Sequence, residues 1–242
     1  SAPTEYDKKS ALRIMCEEQR HGWQMAYVLC TYFGEHGVRE AMKLLERNSL
    51  GNPIRGEEDR ARILGSFNAP IDHWLDFFCF THFIDRDGKF QLKMLSTSSF
   101  KPLAASMGPM LKEESFHLGT GANGLRRIVK QGLIPIAFLQ KYINKWVSTG
   151  LDLFGTDDST SAQWAYVFGV KGRYDERESS EEADRLHLNE ASREFYFQEL
   201  RDEMRRISTA RMEGEPELFI PSDKFNRGIG KFAGKRYTLD GE

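Results

Sequence analysis

Glu17-Glu18-Gln19-Arg20-His21 and Glu113-Glu114-Ser115-Phe116-His117 are two five-residue stretches built alike. Each is a glutamate doublet whose second member is followed three residues on by a histidine. On a helix, positions i and i+3 share a face one turn apart. Glu18 with His21, and Glu114 with His117, can therefore each offer a carboxylate oxygen and an imidazole nitrogen to one metal ion. The chain has 22 Glu and 6 His, for which random placement gives about half a Glu-x-x-His match. Two matches, both carrying the doublet, favour a metal site over two solvated Glu–His pairs. The residues that follow, Gly22-Trp23 and Leu118-Gly119, read as close-packing and point the same way.

Working outward, the surroundings of both motifs read as helix. From Lys9 to Tyr32 there is no proline, and Leu12, Cys16, Trp23, Tyr27 and Cys30 recur at helical spacing. A second helix is expected from Val38 to Leu45, and a charged helix start at Glu57–Arg62. Ile71 to Ile84 is apolar almost all round, which suits a buried helix. Pro102 is placed to open a helix that stops at Gly132, with Pro109 inside it, and another helix follows Pro135. Gly150–Ser161 reads as loop, Gly169–Asp184 as a polar stretch, Asn189–Arg211 as an amphipathic helix, and the tail from Pro221 as loop. No period-2 alternation stands out, so the fold class is all-α. Residues 1–148 are expected to form a helical bundle and residues 149–242 a loop-rich C-terminal extension.

Composition removes several function classes. With 34 basic and 36 acidic side chains the formal charge is −2, which gives no reason to expect a nucleic acid or a membrane surface as partner. No apolar run approaches the ~20 residues of a membrane span, and no signal peptide is visible. Cys16, Cys30 and Cys79 are scattered and odd in number, and read as reduced thiols in a cytoplasmic protein.

Paired Glu-x-x-His helices occur in dimetal carboxylate bundles, where each of two further helices adds a single carboxylate. Asp85, at the end of the apolar helix, is the first candidate for one of these, ahead of Asp87 and Asp76. Against it stands the turn-like sequence Asp85-Arg86-Asp87-Gly88. The other carboxylate has no room before Glu18, and Glu194, Glu199 and Glu203 on the later amphipathic helix read as solvated. The sixth ligand is thus expected upstream of Ser1, and the sequence is read as an internal piece of a longer chain.

The stretches EEQRHGWQM (17–25), FIDRDG (83–88), KEESFHLG (112–119), DLFGTD (152–157) and GVKGR (169–173) resemble the oxygenase components of benzoyl-CoA 2,3-epoxidases, and the likeness runs the length of the chain. The resemblance implies a ferritin-like bundle holding two iron ions, with Glu18, His21, Asp85, Glu114 and His117 as catalytic iron ligands. It implies a monooxygenase that adds one atom of O₂ across a ring double bond of benzoyl-CoA and releases the other as water, in aerobic benzoate degradation. The electrons would come from NADPH through a separate flavin and iron–sulfur reductase. Arg126, Arg127, Lys130, Lys171 and Arg173 are candidates to meet the CoA phosphates, and Phe77, Phe78, Phe80 and Phe83 either wall the ring or form ordinary core. A phenylacetyl-CoA epoxidase-type oxygenase and a non-catalytic iron-binding bundle are the alternatives.

Overall fold

The computed structural model describes residues 2–50, 69–172 and 188–220, with no side-chain description at 46–50 and 152. Every regular element among them is helical, as the sequence leads one to expect. The chain divides into two compact units, Ser1–Ile71 and Asp72–Glu242.

The first unit contains α1 (Glu5–Tyr32) and α2 (Gly34–Leu50) packed on one another. Thr4 caps α1, its hydroxyl accepting from the Asp7 amide at 3.1 Å, which satisfies one of the amides that a helix start leaves over. Gly34 turns the chain with φ 55°, a left-handed conformation that glycine adopts without steric cost. A Cβ on Gly37 would stand 2.0 Å from the Leu29 carbonyl oxygen, so only glycine lets the start of α2 lie this close to the end of α1. The apolar residues that announce α1 do not bury. Leu12, Trp23 and Tyr27 are more than half exposed, and Cys16 and Cys30 are exposed as well. The helix start expected at Glu57–Arg62 lies outside the described residues.

The second unit holds α3 (Trp74–Cys79), a π turn (Phe80–Ile84), α4 (Asp85–Ser96), α5 (Lys101–Gln131), α6 (Ile136–Leu153), α7 (Thr160–Val167) and α8 (Leu188–Ser208). His73 and Asp76 make a reciprocal cap at the start of α3. The helix that the sequence ends near Asp85 does not end there. It widens by one residue through the π turn, closed by the Asp85 amide donating to Phe80 O, and then runs on to Ser96. Asp85-Arg86-Asp87-Gly88 is therefore helical, and the turn reading fails because Arg86 and Asp87 are buried and paired here. Tertiary contacts have overridden local composition.

Pro102 opens α5 and Gly132, at φ 60°, closes it, as expected of proline inside a helix start and glycine just past its end. α6 extends to Leu153, into the stretch read as loop. Asp76 anchors α3 to α6 by accepting from Lys145 Nζ at 2.6 Å and Trp146 Nε1 at 2.9 Å. The start of α8 is capped from a distance, the Asp157 carboxylate accepting from the Asn189 and Glu190 amides at 2.9 and 3.0 Å. Trp146, Tyr196, Phe78, Phe83, Phe90 and Phe197 are the large side chains of the core, each under 2% exposed.

Candidate metal centre

Two glycines set the distance between α5 and the helix that carries Asp85. A Cβ on Gly121 would stand 2.7 Å from the His82 backbone nitrogen and 2.8 Å from Phe78 O, and one on Gly124 would enter the Phe78 ring at 2.3 Å. Their lack of a side chain is what lets the two backbones approach. Because Phe78 lies by Gly124 and His82 by Gly121, the two helices run antiparallel, and the same register carries Asp85 to His117. The glycine and tryptophan read as close-packing are not so: a Cβ on Gly119 meets nothing within 4 Å, and Trp23 is 57% exposed.

At that crossing His117 Nδ1 stands 3.5 Å from Asp85 Oδ2 and 3.6 Å from Glu114 Oε2. All three residues are under 9% exposed, and His117 is fully buried. These separations exceed the 2.7–3.2 Å of a hydrogen bond. Two donors bound to one ion at about 2.1 Å, with bond angles of 90–110°, stand about 3.0–3.4 Å apart. Each carboxylate is thus spaced from His117 close to what two donors on one cation need, and carboxylates with an imidazole form the mixed O/N donor set that suits iron. By spacing, burial and donor type the residues fit a metal.

On α1, His21 Nδ1 stands 3.7 Å from Glu18 Oε2, so the i, i+3 geometry read from sequence is realised there as well. Within the Glu17-Glu18 doublet the first member is committed elsewhere, Arg13 Nε donating to Glu17 at 2.8 Å. Asp76 and Asp87, the other candidates for the third carboxylate, also have other partners. Asp76 is held by Lys145, Trp146 and its own helix cap. Asp87 accepts weakly from Gln91, and burial pushes its carboxyl up to about 7.

Glu199 and Glu203 are not the solvated residues the sequence suggests. Glu199 binds Arg86 at 2.5 Å and Lys89 at 2.6 Å. Glu203 is 6% exposed and stands 3.4 Å from Nε2 of the fully buried His82. The close approach of His82 comes first among the causes that hold the Glu203 carboxyl down to about 2, with Arg86 and Arg206 helping and burial opposing. Burial pushes His82 below its ordinary value. A sequence signal for this pair exists, since Tyr196, Leu200, Glu203 and Ile207 occupy one helical row and the other three are fully buried.

The five candidate cations do not form one cluster. Arg127 lies over the Phe78 ring at 5.8 Å, Lys130 is exposed, and Arg126 lines a groove against α8. Lys171 donates to Gln91 on α4, toward the opposite end of the antiparallel pair. Arg173 lies outside the described residues. Of the phenylalanines, Phe78 and Phe83 are fully buried, Phe80 packs edge-on against Trp146, and the half-buried Phe77 packs against Trp74 and Phe78, so ordinary core accounts for all four.

Residues 54–214 match a family described as phenylacetic acid catabolic proteins. The chain is also similar to the benzoyl-CoA oxygenase component B of Aromatoleum evansii, at 33% identity over an alignment that takes in the whole chain. It spans 59% of that relative's length.

Proposed function

From the premise that the chain belongs to the phenylacetic acid catabolic protein family, whose fold is a ferritin-like helical bundle, we propose that it carries the di-iron centre of an oxygenase acting on an aromatic CoA thioester. The substrate is benzoyl-CoA, the reaction is epoxidation of its ring, and the electrons come from NADPH through a separate reductase. Glu18, His21, Asp85, Glu114 and His117 are ligands to the two irons. The observation that carries the reading is the approach of the Asp85 and Glu114 carboxylates to the buried His117 inside the second unit.

Iron bound there would supply the activation of O₂ that no side chain can supply. The chain's own contribution is positioning. The i, i+3 spacing on α5 fixes Glu114 and His117 on one face, and the wide turn before Asp85 aims its carboxylate at them. The two buried carboxylates would balance the charge of a bound cation, and their burial excludes bulk water from the site. The 33% identity over the whole chain with a benzoyl-CoA oxygenase component favours benzoyl-CoA. The description of the family favours phenylacetyl-CoA as the second reading.

A competition assay tests this. The full-length protein with its reductase, NADPH and isotopically labelled O₂ is offered benzoyl-CoA, phenylacetyl-CoA and free benzoate together. One labelled atom in a benzoyl-CoA product is the expected result. A phenylacetyl-CoA product moves the assignment to the second reading, and consumption of benzoate alone removes the thioester from it.

A further inference from the structure

The groove between α5 and α8 has a character that the metal centre does not explain. These two helices run parallel: Glu203 lies against His82 beside Leu118, and Gly132, just past the end of α5, meets the side chain of Met212, just past the end of α8. Their C-terminal halves enclose a groove lined by Arg126, Asp202, Arg205, Arg206, Thr209 and Ala210. Three guanidinium groups face it against one carboxylate.

Arg205 and Arg206 each lean on the carboxylate three residues back, Asp202 and Glu203. Their side chains are still 78% and 63% exposed, so donors remain for a ligand. Arg126 differs. Its Nε is withdrawn from water and makes no hydrogen bond with the described residues. A buried guanidinium donor without an acceptor is costly. Cations at helix C-termini are ordinarily explained by the helix dipole, but that effect is confined to the last turn, and Arg126 precedes the final turn of α5.

We propose that Arg126, Arg205 and Arg206 form a phosphate-binding groove that holds the phosphate end of the CoA thioester. This rests on the function proposed above and deepens it. Guanidinium forks match phosphate oxygens in pairs, and a phosphate would supply the acceptor that Arg126 Nε lacks. The position suits a long ligand. Arg126 lies nine positions beyond His117, about 13 Å along α5 and about half a turn round it, and an acyl-CoA carries its charged phosphates an extended arm away from its reacting acyl group, an arm that here passes round the helix. A free aromatic acid has nothing to place there. Arg205 and Arg206 replace Lys171, which lies toward the other end of α5, in the set read from sequence.

The test is calorimetric titration of the full-length protein with CoA and with adenosine 3′,5′-bisphosphate, neither of which carries an acyl group. Arg205→Gln/Arg206→Gln and Arg126→Gln are compared with wild type. Because Arg205 and Arg206 are exposed, the double variant keeps its fold whatever Arg126→Gln does. CoA affinity is expected to fall about tenfold or more in the double variant, with iron content and circular dichroism unchanged, and benzoyl-CoA turnover should show raised KM at similar kcat. Unchanged CoA affinity in the double variant overturns the proposal. So does unchanged CoA affinity with loss of reductase-driven turnover, which would assign the arginines to an acidic protein partner. Arginine-dependent CoA binding by a protein that oxygenates no CoA thioester supports the groove while refuting the proposed reaction.

Discussion

His117 is where residue chemistry is most exposed to test. Fully buried, with carboxylate oxygens of Asp85 and Glu114 within 3.6 Å of its Nδ1, it offers the neutral donor between two acidic ones. In the full-length protein, His117→Ala should lower bound iron and reduce oxygenation by about a hundredfold or more. Helix content by circular dichroism should stay near wild type, and unchanged iron content would remove His117 from the ligand set. Glu203 offers a different readout. Its folded-state carboxyl is held below the unfolded value, so the unfolded chain binds more protons between about pH 2 and 4.5. The stability it contributes is fully present above that window and is lost as pH falls through it. The difference in unfolding free energy between wild type and Glu203→Gln should be largest above pH 5 and shrink toward pH 2. A difference that does not change with pH would refute the pairing of the Glu203 carboxylate with His82 and Arg86. The doublet motifs were legible in sequence because their spacing is local. Glu203 was not, because its partner His82 is 121 residues away and a glutamate on a charged helix resembles any solvated one, unless its place in a buried row is noticed.

At the level of elements, the π turn reconciles two demands on one helix. Asp76 must face Lys145 and Trp146 on α6, and Asp85 must face His117 on α5. A single extra residue between them supplies the rotation, and such turns recur at functional sites. Deleting Thr81 should restore uniform pitch and turn Asp85 by about 100° relative to Asp76. One of the two contacts is then lost, read either as reduced iron uptake or as a lowered unfolding midpoint at unchanged helix content. A variant that keeps both would show the turn to be incidental. Gly121→Ala should cost about 1–3 kcal/mol in denaturant unfolding, because the added Cβ meets backbone rather than a movable side-chain tip. Gly119→Ala, with open space, should cost nothing and serves as the control. The sequence showed the helix that reaches Asp85 but not its continuation to Ser96. Asp-Arg-Asp-Gly is turn chemistry unless Arg86 finds Glu199, and that contact is far away in the chain.

On the scale of the whole molecule, the fold class was readable from helical spacing and the absence of alternation, and among the described residues no helix is long and apolar enough to cross a membrane. What periodicity could not distinguish is which apolar stripe is covered. Leu12, Cys16, Trp23, Tyr27 and Cys30 fall within about 60° of one another around α1, and all are exposed. Exposed apolar surface of this kind gives neighbouring molecules a short-range attraction, and with a formal charge of only −2 there is little Coulomb repulsion to oppose it. The chain should therefore behave as a sticky colloid. Its light-scattering second virial coefficient should be negative and become more so as ammonium sulfate is added. Trp23→Lys/Tyr27→Lys should bring it back toward zero, and a positive coefficient for the unaltered chain would show that the stripe is covered in solution.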